Sequence, residues 1–204
     1  MKRFLALFVL VFASISVKAD PSVILVFGDS ISAGYGLAHV EQGWVALLQT
    51  RIKDQGYGYQ VVNASVSGET TAGGLARLPR ALSLHKPKIV ILELGGNDGL
   101  RALPIAQMRA NLERMVDLAS TSGAQVLLLG MRIPPNYGPD FTEQFRQCYN
   151  EVAQEKKVPT VPFLLNDIAL LPNLMQADGI HPNELGQPKL LANVWPALQP
   201  LLHH

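Results

Sequence analysis

Val23-Ile24-Leu25-Val26-Phe27-Gly28-Asp29-Ser30-Ile31-Ser32 decides the reading of this chain. Five apolar residues, with little polar alternation, suit a strand buried on both faces of a sheet. The tight turn that follows sets Ser30 at the C-terminal edge of that strand, where open α/β sheets keep their ligands. The turn presents the Ser30 hydroxyl at the start of a short helical stretch, read as Ser32–Tyr35, and a helix N-terminus favours developing negative charge. A serine alone is a poor nucleophile and needs a base within reach. The chain offers one near its other end, in Asp178-Gly179-Ile180-His181-Pro182. There His181 is the candidate base, and Asp178, three residues earlier, the candidate orienting carboxylate.

Outward from that stretch, strand-like and helix-like segments alternate. Val23–Phe27, Gln60–Asn63, Lys88–Leu94, Gln125–Gly130 and Thr160–Phe163 read as strands. Gly43–Gln55, Thr71–His85, Pro104–Ser122, Phe141–Lys157 and Pro188–Leu201 read as helices. Such alternation predicts a parallel sheet covered on both faces, with right-handed crossovers. The expected fold is α/β: a flavodoxin-like three-layer α/β/α sandwich with five parallel strands in the order 2-1-3-4-5. In that order Ser30, Gly68 and Asn97, which follow strands one, two and three, share one rim of the sheet.

Met1-Lys2-Arg3, an apolar run from Phe4 to Val17 and then Lys18-Ala19-Asp20 have the layout of a secretory signal peptide. The expected organisation is a signal peptide over 1–19 and one domain over 20–204. The apolar run is short for a membrane span, so no stable span is expected after processing, and the product is expected in the periplasm or outside the cell. Processing would leave 185 residues with 14 basic and 16 acidic side chains, a charge of −2. That is no nucleic-acid footprint, which needs clustered basic surface. The lone cysteine, Cys148, precludes an intramolecular disulfide and reads as a buried structural thiol on a helix. No His/Cys/acid cluster has metal-ligand spacing. No phosphate loop is present, and Gly34-Tyr35-Gly36 lacks the third glycine of a dinucleotide fingerprint. No cofactor and no metal are expected. A monomer is expected.

Four short motifs, Gly28-Asp29-Ser30-Ile31, Ser67-Gly68-Glu69-Thr70, Gly95-Gly96-Asn97-Asp98 and Asp178-Gly179-Ile180-His181, stand in this order and at these distances. Together they resemble the GDSL family of the SGNH hydrolase superfamily, across about Val23 to His181. The longer stretches Gly28–Gly36, Gly74–Pro79, Glu93–Arg101 and Asp178–Asn183 resemble one exported bacterial branch of that superfamily, multifunctional thioesterase/protease/lysophospholipase enzymes also described as arylesterases. One letter departs from the family motif, Ile31 in place of leucine, a near-isosteric change. The resemblance implies an oxyanion hole made by the Ser30 and Gly68 backbone N–H groups and the Asn97 side-chain amide. It also implies hydrolysis of acyl thioesters, aryl esters and lysophospholipids through an acyl-enzyme, so the expected partner is a small acyl ester or thioester.

With so few residues beyond the sandwich, no lid domain is expected, and the site should be an open groove. Two loops, Asp98–Leu103 and Met131–Gly138, carry apolar side chains suited to an acyl chain. Asp29, Leu100, Arg101, Ile133, Pro134, Tyr137 and Ile180 are the expected substrate-contacting residues, and Gly99 is expected to let the first loop move. Asp29 is also expected to hold backbone N–H groups of the nucleophile turn. Two other readings are a carbohydrate acetyl esterase of the same superfamily, which would want polar, aromatic sugar platforms, and a non-catalytic binding module on a hydrolase scaffold.

Overall fold

The computed structural model describes residues 21–203; the signal-peptide reading of 1–19 lies outside them. Five parallel strands, β1 (Ser22–Gly28), β2 (Tyr59–Asn63), β3 (Ile89–Glu93), β4 (Gln125–Leu129) and β5 (Thr160–Val161), form one sheet in the order 2-1-3-4-5. Seven helices accompany them among the described residues: α1 (Ser30–Ala33), α2 (Trp44–Asp54), α3 (Thr71–His85), α4 (Gly96–Leu100), α5 (Ile105–Thr121), α6 (Pro139–Lys156) and α7 (Gln187–Leu198). α3, α5 and α6 pack side by side, and α2 packs against α7. Right-handed crossovers assign these two groups to opposite faces of the sheet, which is the expected three-layer sandwich.

The central strands are apolar because both faces are covered. Ile24–Phe27, Ile89–Leu92 and Val126–Leu129 are all buried. β2 departs from the expectation of full burial. It is an edge strand, and Gln60 and Asn63 are exposed on it. The expected fifth strand over 160–163 shrinks to two residues, because Pro162 cannot donate to a ladder.

Helix boundaries follow local chemistry. Thr70 caps α3 by accepting the Gly73 N–H at 3.3 Å. α5 closes at Ser122–Gly123, with Gly123 left-handed at φ 88°. The helix of the serine turn starts two residues earlier than expected, at Ser30, because the Asp29 carboxylate caps it, accepting the Ile31 N–H at 3.1 Å. No helix of the described residues is long and apolar enough to cross a membrane.

Candidate active site

β1 runs straight from the core into the Asp29 cap, so Ser30 stands at the first position of α1, 9% exposed at the rim. His181 arrives from 151 residues away. Its Nε2 lies 2.8 Å from Ser30 Oγ, and its Nδ1 lies 2.7 Å from Asp178 Oδ2. Asp178 Oδ1 accepts the backbone N–H groups of Ile180 (2.9 Å) and His181 (3.0 Å). The aspartate therefore folds the Asp-Gly-Ile-His turn around itself, with Gly179 left-handed at φ 66°. Partial burial raises the Asp178 pKa. The hydrogen bonds from the His181 ring and from the two backbone N–H groups outweigh it and bring the carboxyl down to about 2. Asp178 is thus an anion at neutral pH, able to hold a proton on Nδ1 and leave Nε2 as the acceptor facing Ser30.

The histidine loop is fastened on all sides. The Gln176 N–H donates to the His181 carbonyl at 2.8 Å. Gln176 Nε2 donates to the carbonyls of Tyr35 (2.8 Å) and Pro182 (3.1 Å). Buried Gln187 donates to Pro182 O at 3.2 Å and accepts the Trp44 N–H at 3.0 Å, tying the loop to the start of α2. The Tyr35 ring lies against the imidazole, centroids 4.7 Å apart. None of Gln176, Gln187 and Tyr35 stood out in the sequence. Glutamine and tyrosine are common loop residues, and no local spacing marks these as partners of a distant histidine.

Asn97 sits on α4, one turn after β3. Its side-chain amide donates one hydrogen to Asp29 Oδ2 at 3.1 Å, and an amide carries a second. Gly68 is exposed in the turn after β2, at φ 77°, a conformation that disfavours any other L-residue. Ser30, Gly68 and Asn97 therefore lie where strands one, two and three end. Asp98, buried behind Asn97, locks α4 to α3: its carboxylate accepts the Thr71 N–H (2.8 Å) and hydroxyl (2.6 Å), and Asn111 donates to that hydroxyl at 3.0 Å.

Several expected substrate contacts are placed otherwise. Asp29 is 2% exposed and spends its carboxylate on Ile31 and Asn97, so it holds the Ser30 turn from beneath. Burial pushes it up to about 6, against the lowering effects of the Ile31 N–H and the His181 and Asn97 side chains. Ile133, 8% exposed, packs into the core. Gly99 is no hinge: it is helical and buried, and an added Cβ would come within 2.5 Å of the Phe145 ring and 2.6 Å of Ile133. Its smallness serves close packing. Arg101 donates to the Gly68 carbonyl at 3.0 Å, bracing the neighbouring turn. Leu100 and Tyr137 are half-buried, and the Tyr137 hydroxyl donates to the Leu100 carbonyl at 2.7 Å, joining the two expected walls. Pro134 and Ile180 are exposed.

Cys148 is buried on α6, and desolvation pushes its thiol up to about 12, which makes it a poor nucleophile. No group of three or more His, Cys, Asp or Glu among the described residues is arranged to hold a metal ion.

Known proteins are similar to this chain over most of its length. Esterase TesA of Pseudomonas aeruginosa is 55% identical over 185 residues, 91% of this chain and 92% of that protein. Thioesterase 1/protease 1/lysophospholipase L1 of Escherichia coli K12 is 41% identical over 186 residues, 91% of this chain and 88% of that protein. A crystal structure of TesA, 55% identical, superposes with a TM-score of 0.87 over 89% of this chain and all of the other. The model of the GDSL-like lipase/acylhydrolase family matches residues 26–188, from within β1 to the start of α7, and the chain belongs to that family.

Proposed function

We propose that this protein hydrolyses carboxylic esters and thioesters through an acyl-enzyme on Ser30. The observation that carries the reading is the continuous line Asp178–His181–Ser30, with both contacts under 3 Å, on the rim that also holds Asn97. Ser30 Oγ attacks the acyl carbonyl while His181 Nε2 takes its proton. Asp178 keeps the other ring nitrogen protonated and stabilises the imidazolium that forms. The carbonyl oxygen becomes an oxyanion, met by the Ser30 and Gly68 N–H groups and the free hydrogen of the Asn97 amide. His181 returns its proton to the leaving alcohol or thiol. Water, deprotonated by the same Nε2, then releases the acid and restores Ser30.

The acyl group takes the half-buried Leu100 and Tyr137 and the exposed Pro134 and Ile180 as its contacts. Aryl esters, acyl-CoA thioesters and lysophospholipids fit an open, mostly apolar groove of this kind. The relatives named esterase and thioesterase 1/lysophospholipase L1 support the same substrate range. The mature enzyme begins near residue 20, after export, and acts as a monomer in the periplasm or outside the cell. The layout of residues 1–19 supports this placement.

The test is turnover of an aryl ester and of a long-chain acyl-CoA by the mature protein and its Ser30→Ala variant. Loss of about 10⁴-fold or more in kcat for both substrates, with the fold intact by circular dichroism, is expected. Turnover retained in the variant sinks the reading.

A further inference from the structure

An acid that neither the triad nor the oxyanion donors use lies beneath Ser30. Glu93 is the last residue of β3 and is fully buried at the end of an otherwise apolar strand. Among the described residues no cation pairs with it. Its Oε2 accepts two hydrogen bonds, from the Ser32 hydroxyl at 2.7 Å and from the Asp29 N–H at 3.2 Å. These donors flank Ser30 on both sides. The sheet register sets Glu93 beside Gly28, and a Cβ on Gly28 would lie 2.5 Å from that same oxygen. The glycine of the nucleophile motif is thus shaped to the acid.

We propose that Glu93 is a positioning residue of this site: its carboxyl anchors the turn on either side of Ser30 and, through Asp29, sets the Asn97 amide. The proposal rests on Ser30 being the nucleophile. The path is short. Glu93 holds the Asp29 backbone, and the Asp29 carboxylate holds Ile31 N–H with one oxygen and Asn97 Nδ2 with the other. A turn left without this anchor can rotate the Ser30 hydroxyl away from His181 and the Asn97 hydrogen away from the oxyanion. A buried anion without a cation is costly, and a proton removes that cost. Burial drives Glu93 well above the ordinary carboxyl range, and the nearby Asp29 carboxylate pushes it the same way. The other groups that bear on this pair are Ser32, Asn97, His181 and the buried Tyr149. Glutamine at this position offers the same acceptor oxygen to the Ser32 hydroxyl and the Asp29 N–H.

The experiment compares kcat and KM for an aryl ester in the mature wild type and in Glu93→Gln, Glu93→Leu, Ser32→Ala and Ser30→Ala, with unfolding midpoints for each. Glu93→Leu is expected to lose about 10²-fold in kcat, the scale of a small misplacement of reacting groups, with KM within about twofold of wild type. Glu93→Gln keeps the acceptor and should hold kcat within about threefold, a rescue that a purely charged role would not show. Ser32→Ala breaks one of the two hydrogen bonds and should lose kcat several-fold; it carries the test if Glu93→Leu fails to fold. Wild-type kcat in both Glu93→Leu and Ser32→Ala overturns the proposal. So does a Glu93→Gln as impaired as Glu93→Leu, or a loss confined to KM. Activity in Ser30→Ala would instead overturn the underlying hydrolase reading.

Discussion

His181 serves the proposed mechanism only while its two nitrogens face different partners, and Asp178 enforces that with three hydrogen bonds to one carboxylate. Asp178→Asn places a donor where the mechanism needs an acceptor, so kcat should fall by about 10³–10⁴-fold with the loop still folded, as steady-state kinetics will show. Linkage predicts a matching stability signature. The Asp178 pKa falls from 3.8 to about 2 on folding, so its contribution is fully present above 3.8 and is lost as pH falls toward about 2. The gap between wild-type and Asp178→Asn unfolding midpoints should close over that window. Glu93 has the opposite sign. Its pKa is raised from 4.5, so wild type loses stability relative to Glu93→Gln as pH rises above 4.5, which urea unfolding at two pH values will test. Ser30, Asp178 and His181, which the structure brings into hydrogen-bond contact, were legible as candidates because each sat in a compact motif. Glu93 was equally visible, as a lone acid ending an apolar run, yet that signal marks a buried charge without naming its partner. Asp29 shows the converse limit. Its cap role followed from its place before the serine, but its depth could not, because burial depends on α4 closing over it.

At the level of elements, the segments expected to wall the site are packed structure. α4 is pinned to α3 through Asp98–Thr71–Asn111, and Gly99 of α4 sits directly against Phe145 of α6. Gly99→Ala should destabilise the protein by about 1–3 kcal/mol through overpacking, measured by denaturant unfolding. Arg109 of α5, by contrast, reaches Glu151 and Glu155 of α6, and pairs with Glu113 of its own helix, on an exposed surface. Its replacement by Ala should cost only about 0–1 kcal/mol, and less at high salt. A sequence pattern of glycine within a motif says only that a side chain is excluded. The tertiary neighbour decides between a hinge and a close contact, and here Phe145, 46 positions later, makes it a close contact. Edge status was legible: the expected order 2-1-3-4-5 ends on strand two, and the polar Gln60 and Asn63 that bound Val61-Val62 are the exposed positions of β2.

The whole molecule supplies what no single segment contains, since Ser30 and His181 meet only when the last loop returns across the sheet edge to α1. The strand order was legible because alternating apolar strands and amphipathic helices leave few right-handed solutions, and the site follows from it: three motifs end three adjacent strands, β2, β1 and β3. The fastenings of the returning loop, Gln176 and Gln187, were not legible, being long-range partners with ordinary local spacing. The most direct measurement is intact mass after exposure of the mature protein to a phosphonate serine probe, with Ser30→Ala as control. One adduct per molecule, absent in the variant, is the predicted result and marks Ser30 as an activated nucleophile. No adduct on folded wild-type protein, or an adduct that persists in Ser30→Ala, would contradict the assignment of this rim as a serine hydrolase site.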